Sequence, residues 1–200
     1  MAAGNPHVVI DTRTYNVVIS SWSKSRAEGA AMREEEILVG IEKQYEAGNK
    51  YVKPNRASFN SVIKSWVRNE SSQVAVEKAE ALINYMATMS QRDPDFLPPC
   101  RRGYNLLLYA YAHSGLADAG GRAETILNEM LKGADDESIA PDINSFNLVI
   151  KSWGQGKSNA FEHKAQAVFD QVLQRPEVTP NHETFNAILS NWRKSKETKP

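Results

Sequence analysis

The sequence predicts an all-α protein, a right-handed superhelical α-solenoid of about four and a half helix-turn-helix units. Three observations lead there. Five stretches repeat along the chain, TYNVVISSWSKS, SFNSVIKSWVRN, GYNLLLYAYAHS, SFNLVIKSWGQG and TFNAILSNWRKS. In the fourth, Phe146, Val149, Ile150 and Trp153 stand at i, i+3, i+4 and i+7, the spacing of one buried helical face. All four tryptophans share a single register within these stretches.

The first helix of each unit, helix A, carries Asn16, Asn60, Asn105, Asn147 or Asn186, spaced by 44, 45, 42 and 39 residues. Six residues after each asparagine stands Trp22, Trp66, Tyr111, Trp153 or Trp192. Asparagine is a middling-to-poor helix former that prefers caps and turns, so five of them inside helices require a reason. A second pattern, helix B, follows the first four as REEEILVGI, KAEALINYM, RAETILNEM and KAQAVFDQV. Its leading residue (Glu34, Ala79, Ala123, Ala165) falls 18, 19, 18 and 18 positions after the asparagine. Apolar pairs come next, Ile37/Leu38, Leu82/Ile83, Ile126/Leu127 and Val168/Phe169. Pro54, Pro98/Pro99, Pro141 and Pro180 mark the linkers and are expected to stop helix B and open the next helix A. The expected layout is a leader at 1–10, an array over 11–196 with units 11–54, 55–99, 100–141, 142–180 and a partial 181–196, and a tail at 197–200. A two-helix unit cannot cover both apolar faces alone, so the units stack as one structural domain, helices A on one surface and helices B on the other. The fifth unit ends after helix A, which reads either as a piece of a longer array or as a solvating closing helix.

Hydrophobic residues at 41% and charged residues at 24% fit an ordinary globular protein, and no run of eighteen apolar residues spans a membrane. A single cysteine, Cys100, excludes an internal disulfide and suits a reducing compartment. MAAGNPHVVIDTRTYN shows no targeting peptide; either the protein stays where it is made or a targeting segment precedes this sequence. The net charge is zero but unevenly placed. Windows around the five asparagines hold ten Lys/Arg against three acids, so helices A carry +7 and the rest of the chain −7. Steering of a polyanion takes that form, although the acids of helix B also keep a convex face soluble.

Stepping by four from each asparagine gives the stripes Asn16–Ser20–Lys24, Asn60–Lys64–Arg68, Asn105–Tyr109–His113, Asn147–Lys151–Gln155 and Asn186–Ser190–Lys194. Amides head them, cations usually close them, and no acid interrupts them. Amides suit a Watson–Crick edge, while Lys24, Lys64, Arg68, His113, Lys151 and Lys194 suit a phosphate backbone. The competing reading is that the asparagines bond a neighbouring helix and hold the units in register.

The register Tyr/Phe-Asn-x-x-Ile, a cation eight residues after the asparagine, Ala-x-x-apolar-apolar, then Pro-Asp/Asn, resembles the pentatricopeptide repeat family over residues 10–196. The units here run longer than that family's usual period. The resemblance implies single-stranded RNA binding, one base per repeat, for RNA processing, stability, editing or translation in mitochondria or plastids. It pairs each asparagine with the last residue of its repeat: Asn16 with Asn55, Asn60 with Cys100, Asn105 with Asp142 and Asn147 with Asn181. By the family's pattern Asn-with-Asp favours U and Asn-with-Asn favours pyrimidines, C foremost, giving a pyrimidine-leaning target. Cys100 matches no usual combination. Asp11, Asn55, Asp142 and Asn181 are also preferred N-caps, a simpler role that can coexist with the first. Where the family has an aliphatic residue to sandwich the base, this sequence has Arg13, Ala57, Arg102, Asn144 and Glu183.

No catalytic constellation appears. The four histidines and Cys100 lack metal-ligand spacing, Asp93/Asp95 and Asp135/Asp136 are loop acids, and GLADAGGRAE lacks the lysine and serine of a phosphate loop. The expectation is a non-enzyme without cofactor, metal or membrane contact, binding RNA or, as the alternative, acting as a protein–protein scaffold.

Overall fold

The computed structural model describes residues 10–25, 27–69, 72–154 and 159–197, without the side chains of 72, 159–162 and 194–197. The expected leader and tail lie outside them apart from Ile10 and Glu197. Among the described residues the protein is all-helical: α1 (Thr12–Ser25), α2 (Ala30–Glu46), a short 3-10 turn (Lys50–Val52), α3 (Arg56–Asn69), α4 (Ser72–Arg92), α5 (Arg101–Ser114), α6 (Ala119–Lys132), α7 (Ile143–Trp153), α8 (Asn159–Leu173) and α9 (His182–Glu197).

The odd helices start alike because their caps do. Asp11 accepts from the Thr14 N–H at 2.8 Å, Asn55 from Ser58 at 3.1 Å, Asp142 from Ser145 at 3.0 Å and Asn181 from Thr184 at 3.1 Å. Ser58, Ser145 and Thr184 return the bond, their hydroxyls accepting from the cap's own N–H and closing a capping box. Cys100 stands at the N-cap of α5, where its sulfur, a weak acceptor, faces the first N–H groups without a full cap hydrogen bond.

The linker prolines do not stop the even helices as expected. α2 ends at Glu46, and Gly48, at φ +95°, turns the chain well before Pro54; α6 ends at Lys132 with Gly133 as its C-cap, ahead of Pro141. Proline instead stands next to the following cap, where its fixed φ suits entry into a helix.

Each odd helix packs on the next odd helix, and every even helix packs between two odd ones. α7 shows what this does to a sequence: Phe146, Val149 and Ile150 are fully buried and Trp153 nearly so, between α5, α6, α8 and α9. Each such side chain contributes roughly 1.5–3 kcal/mol of hydrophobic stabilisation. Two cores result. One centres on Phe59, Val62 and Trp66 with α1 and α2; the other runs from Ile63 through α5 to α9, so α3 supplies both from adjacent positions. Trp66, Tyr111 and Trp153 are core, as their spacing predicts, but Trp22 and Trp192 keep substantial exposure on α1 and α9, which pack on fewer neighbours.

Candidate nucleic-acid interface

Every asparagine followed by a further odd helix points at that helix's cap. Asn16 Nδ2 donates to Asn55 Oδ1 at 3.3 Å, Asn60 Nδ2 to Cys100 Sγ at 3.7 Å, Asn105 Nδ2 to Asp142 Oδ1 at 3.2 Å and Asn147 Nδ2 to Asn181 Oδ1 at 3.2 Å. These are the same partners the resemblance assigned, brought together in space. Two amides gain a second bond, from Ser58 Oγ to Asn16 Oδ1 and from Ser145 Oγ to Asn105 Oδ1, both at 2.7 Å. The asparagines therefore do not form a uniformly solvent-facing row. Asn60 and Asn147 are 7% and 6% exposed, Asn16 and Asn105 are half-buried, and Asn186 is exposed. Among the described residues, the outer oxygen Asp142 Oδ2 and the amino groups of Asn55 and Asn181 carry no hydrogen bond.

A second clamp accompanies the first. Thr12 Oγ1 donates to the Lys53 carbonyl at 2.7 Å, Arg56 Nε to the Pro98 carbonyl at 2.7 Å, and Arg101 Nε to the Ala140 carbonyl. Each donor follows an N-cap and each acceptor lies two residues before the next one. Arg56 and Arg101, counted in the basic windows, are thus partly committed to holding linkers.

Grooves of about 630, 690 and 580 Å³ run along the odd helices. The first is lined by Arg13, Asn16, Ser20, Lys24 and Asn55. The second is lined by Arg56, Cys100, Arg102, Asn105, Tyr109 and Asp142. The third is lined by Tyr109, His113, Asn147, Lys151, Glu183 and Asn186. Lys24, Arg68 and Lys151 are exposed and Lys64 is half-buried, whereas the Lys194 side chain and Gln155 fall outside the described residues. His113 is exposed but spoken for: Lys151 Nζ donates to its Nε2 at 2.7 Å, and its Nδ1–H donates to the Tyr109 carbonyl at 2.8 Å. Arg13, Ala57, Arg102, Asn144 and Glu183 are all exposed.

Charge is partitioned by layer. Among the described residues no lysine or arginine of an odd helix makes an ion pair. The pairs that form belong to even helices and linkers: Lys78–Glu35 at 2.9 Å, Arg122–Glu80 at 3.2 Å, Arg122–Asp118 at 2.7 Å and Lys53–Asp93 at 2.9 Å. Lys78 lies 4.9 Å over the Trp66 ring and Lys164 6.0 Å over Trp153, while the Tyr111 hydroxyl donates to Glu80. Sequence reading missed this ladder. Its trace was the basic residue before each helix-B small position, Arg33, Lys78, Arg122 and Lys164.

Burial pushes the Cys100 thiol up, but the Gly103 and Arg102 backbone N–H groups, the Asn60 amide and the Arg56 guanidinium together hold it below the ordinary thiol value. Glu34 is fully buried in the slot that Ala79, Ala123 and Ala165 fill elsewhere, with a hydrogen bond from Ser65 Oγ at 2.7 Å. Burial raises its carboxyl to about 7 against that opposing bond. Among the described residues no group of three His, Cys, Asp or Glu side chains is placed to hold a metal ion. Compared with known proteins, the chain matches no family model and no curated protein.

Proposed function

We propose that the protein is a sequence-selective single-stranded RNA-binding array of pentatricopeptide-like units. The units stack as a right-handed solenoid, take one base per unit, and serve RNA processing, stability or translation in a mitochondrion or plastid. The observation that carries this reading is the layer of odd-helix cations that, among the described residues, form no ion pair, set beside caps that keep hydrogen-bonding groups unspent. A carboxylate oxygen such as Asp142 Oδ2 accepts, which suits the N3–H of uracil; an amide NH₂ such as those of Asn55 and Asn181 donates, which suits the N3 acceptor of cytosine. On this reading the buried asparagines orient the caps, and the caps meet the base. Exposed Arg13, Lys24, Arg68 and Arg102 neutralise phosphates.

The test is ionic strength. Binding of a short pyrimidine-rich RNA is expected to weaken steeply with salt, and replacing Lys24, Arg68 and Arg102 together by alanine should reduce the log–log slope by about 2 to 3. Duplex DNA bound as tightly as RNA, or no RNA bound at all, would favour the protein-scaffold reading. That second reading has its own support: Phe185, Leu189 and Trp192 form an exposed apolar stripe on α9 whose counterparts Phe146, Ile150 and Trp153 are buried on α7.

A further inference from the structure

Tyr109 is anomalous among the helix-A positions four residues after the asparagine. Its counterparts are Ser20, Lys64, Lys151 and Ser190, none aromatic. The ring contributes little to the core: it is 43% exposed, while Leu108, Ala110, Tyr111 and Ala112 beside it are buried. It is nonetheless held in place. The His113 ring lies against it with centroids 3.9 Å apart and planes 31° apart. His113 in turn is fixed by its bonds to the Tyr109 carbonyl on one side and to Lys151 of α7 on the other. Tyr109 lines both the 690 Å³ and the 580 Å³ groove and so stands at their junction.

We propose that the Tyr109–His113 pair is a preformed stacking shelf for one base of the bound strand, with the two remaining N–H donors of Lys151 serving the adjoining phosphate. The inference rests on the RNA reading and adds to it a contact that the amide-and-cap pairs do not provide. An exposed aromatic ring with its orientation fixed before binding pays little ordering entropy, and any base has a flat face to lay against it. The cation-bearing groove distinguishes a nucleotide from a plain aromatic side chain. The shelf also compensates locally for Asn144 and Glu183, which stack poorly on a base where an aliphatic residue would sandwich it.

The experiment uses pyrimidine-rich RNAs carrying 2-aminopurine at one position at a time. With the wild-type protein, fluorescence at one position should fall on binding. Tyr109→Ala should abolish that quench and weaken binding about tenfold, with the salt slope unchanged because no ionic contact is lost. Tyr109→Phe should retain both quench and affinity. Tyr109→Gln should behave as the alanine variant does and guards against a local folding defect, which a thermal melt of each variant checks. If Tyr109→Ala and Tyr109→Gln bind within twofold of wild type with the quench intact, while the Lys24/Arg68/Arg102 variant still loses salt slope, the shelf is wrong and the RNA reading stands. If the wild-type protein binds no RNA, both fall together.

Discussion

Asn60 and Asn147 are deeply buried, yet each keeps a side-chain oxygen without a hydrogen-bond partner among the described residues. The causes differ. Beside Asn147, the Thr184 hydroxyl turns to Asn181 Oδ1 at 3.2 Å. Beside Asn60, the hydroxyl is missing because Gly103 stands where Ser58, Ser145 and Thr184 stand in the other units. A Cβ at Gly103 would meet Asn60 Oδ1 and the Ile83 Cδ1 at 3.0 Å. Both Gly103→Ser and Gly103→Ala therefore crowd the junction, but serine brings a donor to the orphaned oxygen. The serine variant should be more stable than the alanine variant by about 1 kcal/mol in thermal or denaturant unfolding. Asp142→Asn tests the base-facing role separately from the cap. Asparagine caps as well as aspartate, so stability should shift by less than about 0.5 kcal/mol. Preference at a single RNA position should move from U towards C, read by selection on random RNA. A change in melting temperature with unaltered preference would leave Asp142 a cap and nothing more.

The packing of α2 makes stability pH-sensitive through two carboxyls, Glu34 against α3 and Glu42 beside Tyr85 of α4. The folded Glu34 carboxyl keeps its proton to about pH 7, whereas an unfolded one loses it near 4.5. The native state thus binds more protons between those values, and stability falls as pH rises through that window. Burial also raises Glu42 to about 7, with repulsion from Glu46 and Glu35 adding to it and the Tyr85 hydroxyl opposing it, so both groups tilt the profile the same way. Glu34→Gln should match wild type near about pH 5 and exceed it near about pH 8, by an amount on the order of 1–3 kcal/mol. Equal pH profiles would mean that water reaches the carboxylate. On α6, a Cβ at Gly120 would come within 2.3 Å of the Trp153 ring and 3.0 Å of its Cα. Gly120→Ala should cost about 2–3 kcal/mol despite the better helix propensity of alanine. The glycine that looked like a fragment of a phosphate loop is the seat of a tryptophan. These elements also mark what a sequence can and cannot disclose. Helix A was legible because Phe146, Val149, Ile150 and Trp153 recur with a fixed period. The pairs Asn105/Asp142 and Asn147/Asn181 came from the resemblance to pentatricopeptide repeats, since spacing alone marked Asp142 and Asn181 only as N-caps. The clamp of Thr12, Arg56 and Arg101 was not, since its donors differ in kind and its acceptors are backbone carbonyls, which no residue letter encodes. The burial of Asn60 and Asn147 was hidden because they share helical stripes with the exposed cations Arg68 and Lys151. Proline misled as a stop signal because Gly48 and Gly133 had already ended the helices.

Net charge of zero conceals a protein divided by layer, its even helices carrying ion pairs and its odd helices, among the described residues, none. Substituting the outer acids Glu77 and Glu129 by glutamine should leave RNA affinity nearly unchanged, within about twofold at moderate salt, because a Debye length of about 10 Å screens them from the far side. A large gain in affinity would show that net charge, not its placement, governs binding. At the first three junctions the two clamps lie together at the N-terminal ends of the odd helices, and among the described residues the α7–α9 junction has the asparagine clamp alone. Between α5 and α7 the Lys151–His113 bond adds a further tie near the opposite end. The junctions without such a further tie, α1–α3 and α3–α5, are thus held at one margin more than at the other, like the leaves of a fan at a rivet. On the RNA reading, the caps would set the spacing of the bases, while Lys24 and Arg68, exposed towards the other ends of their helices, are left to follow a ribose-phosphate chain of uneven stride.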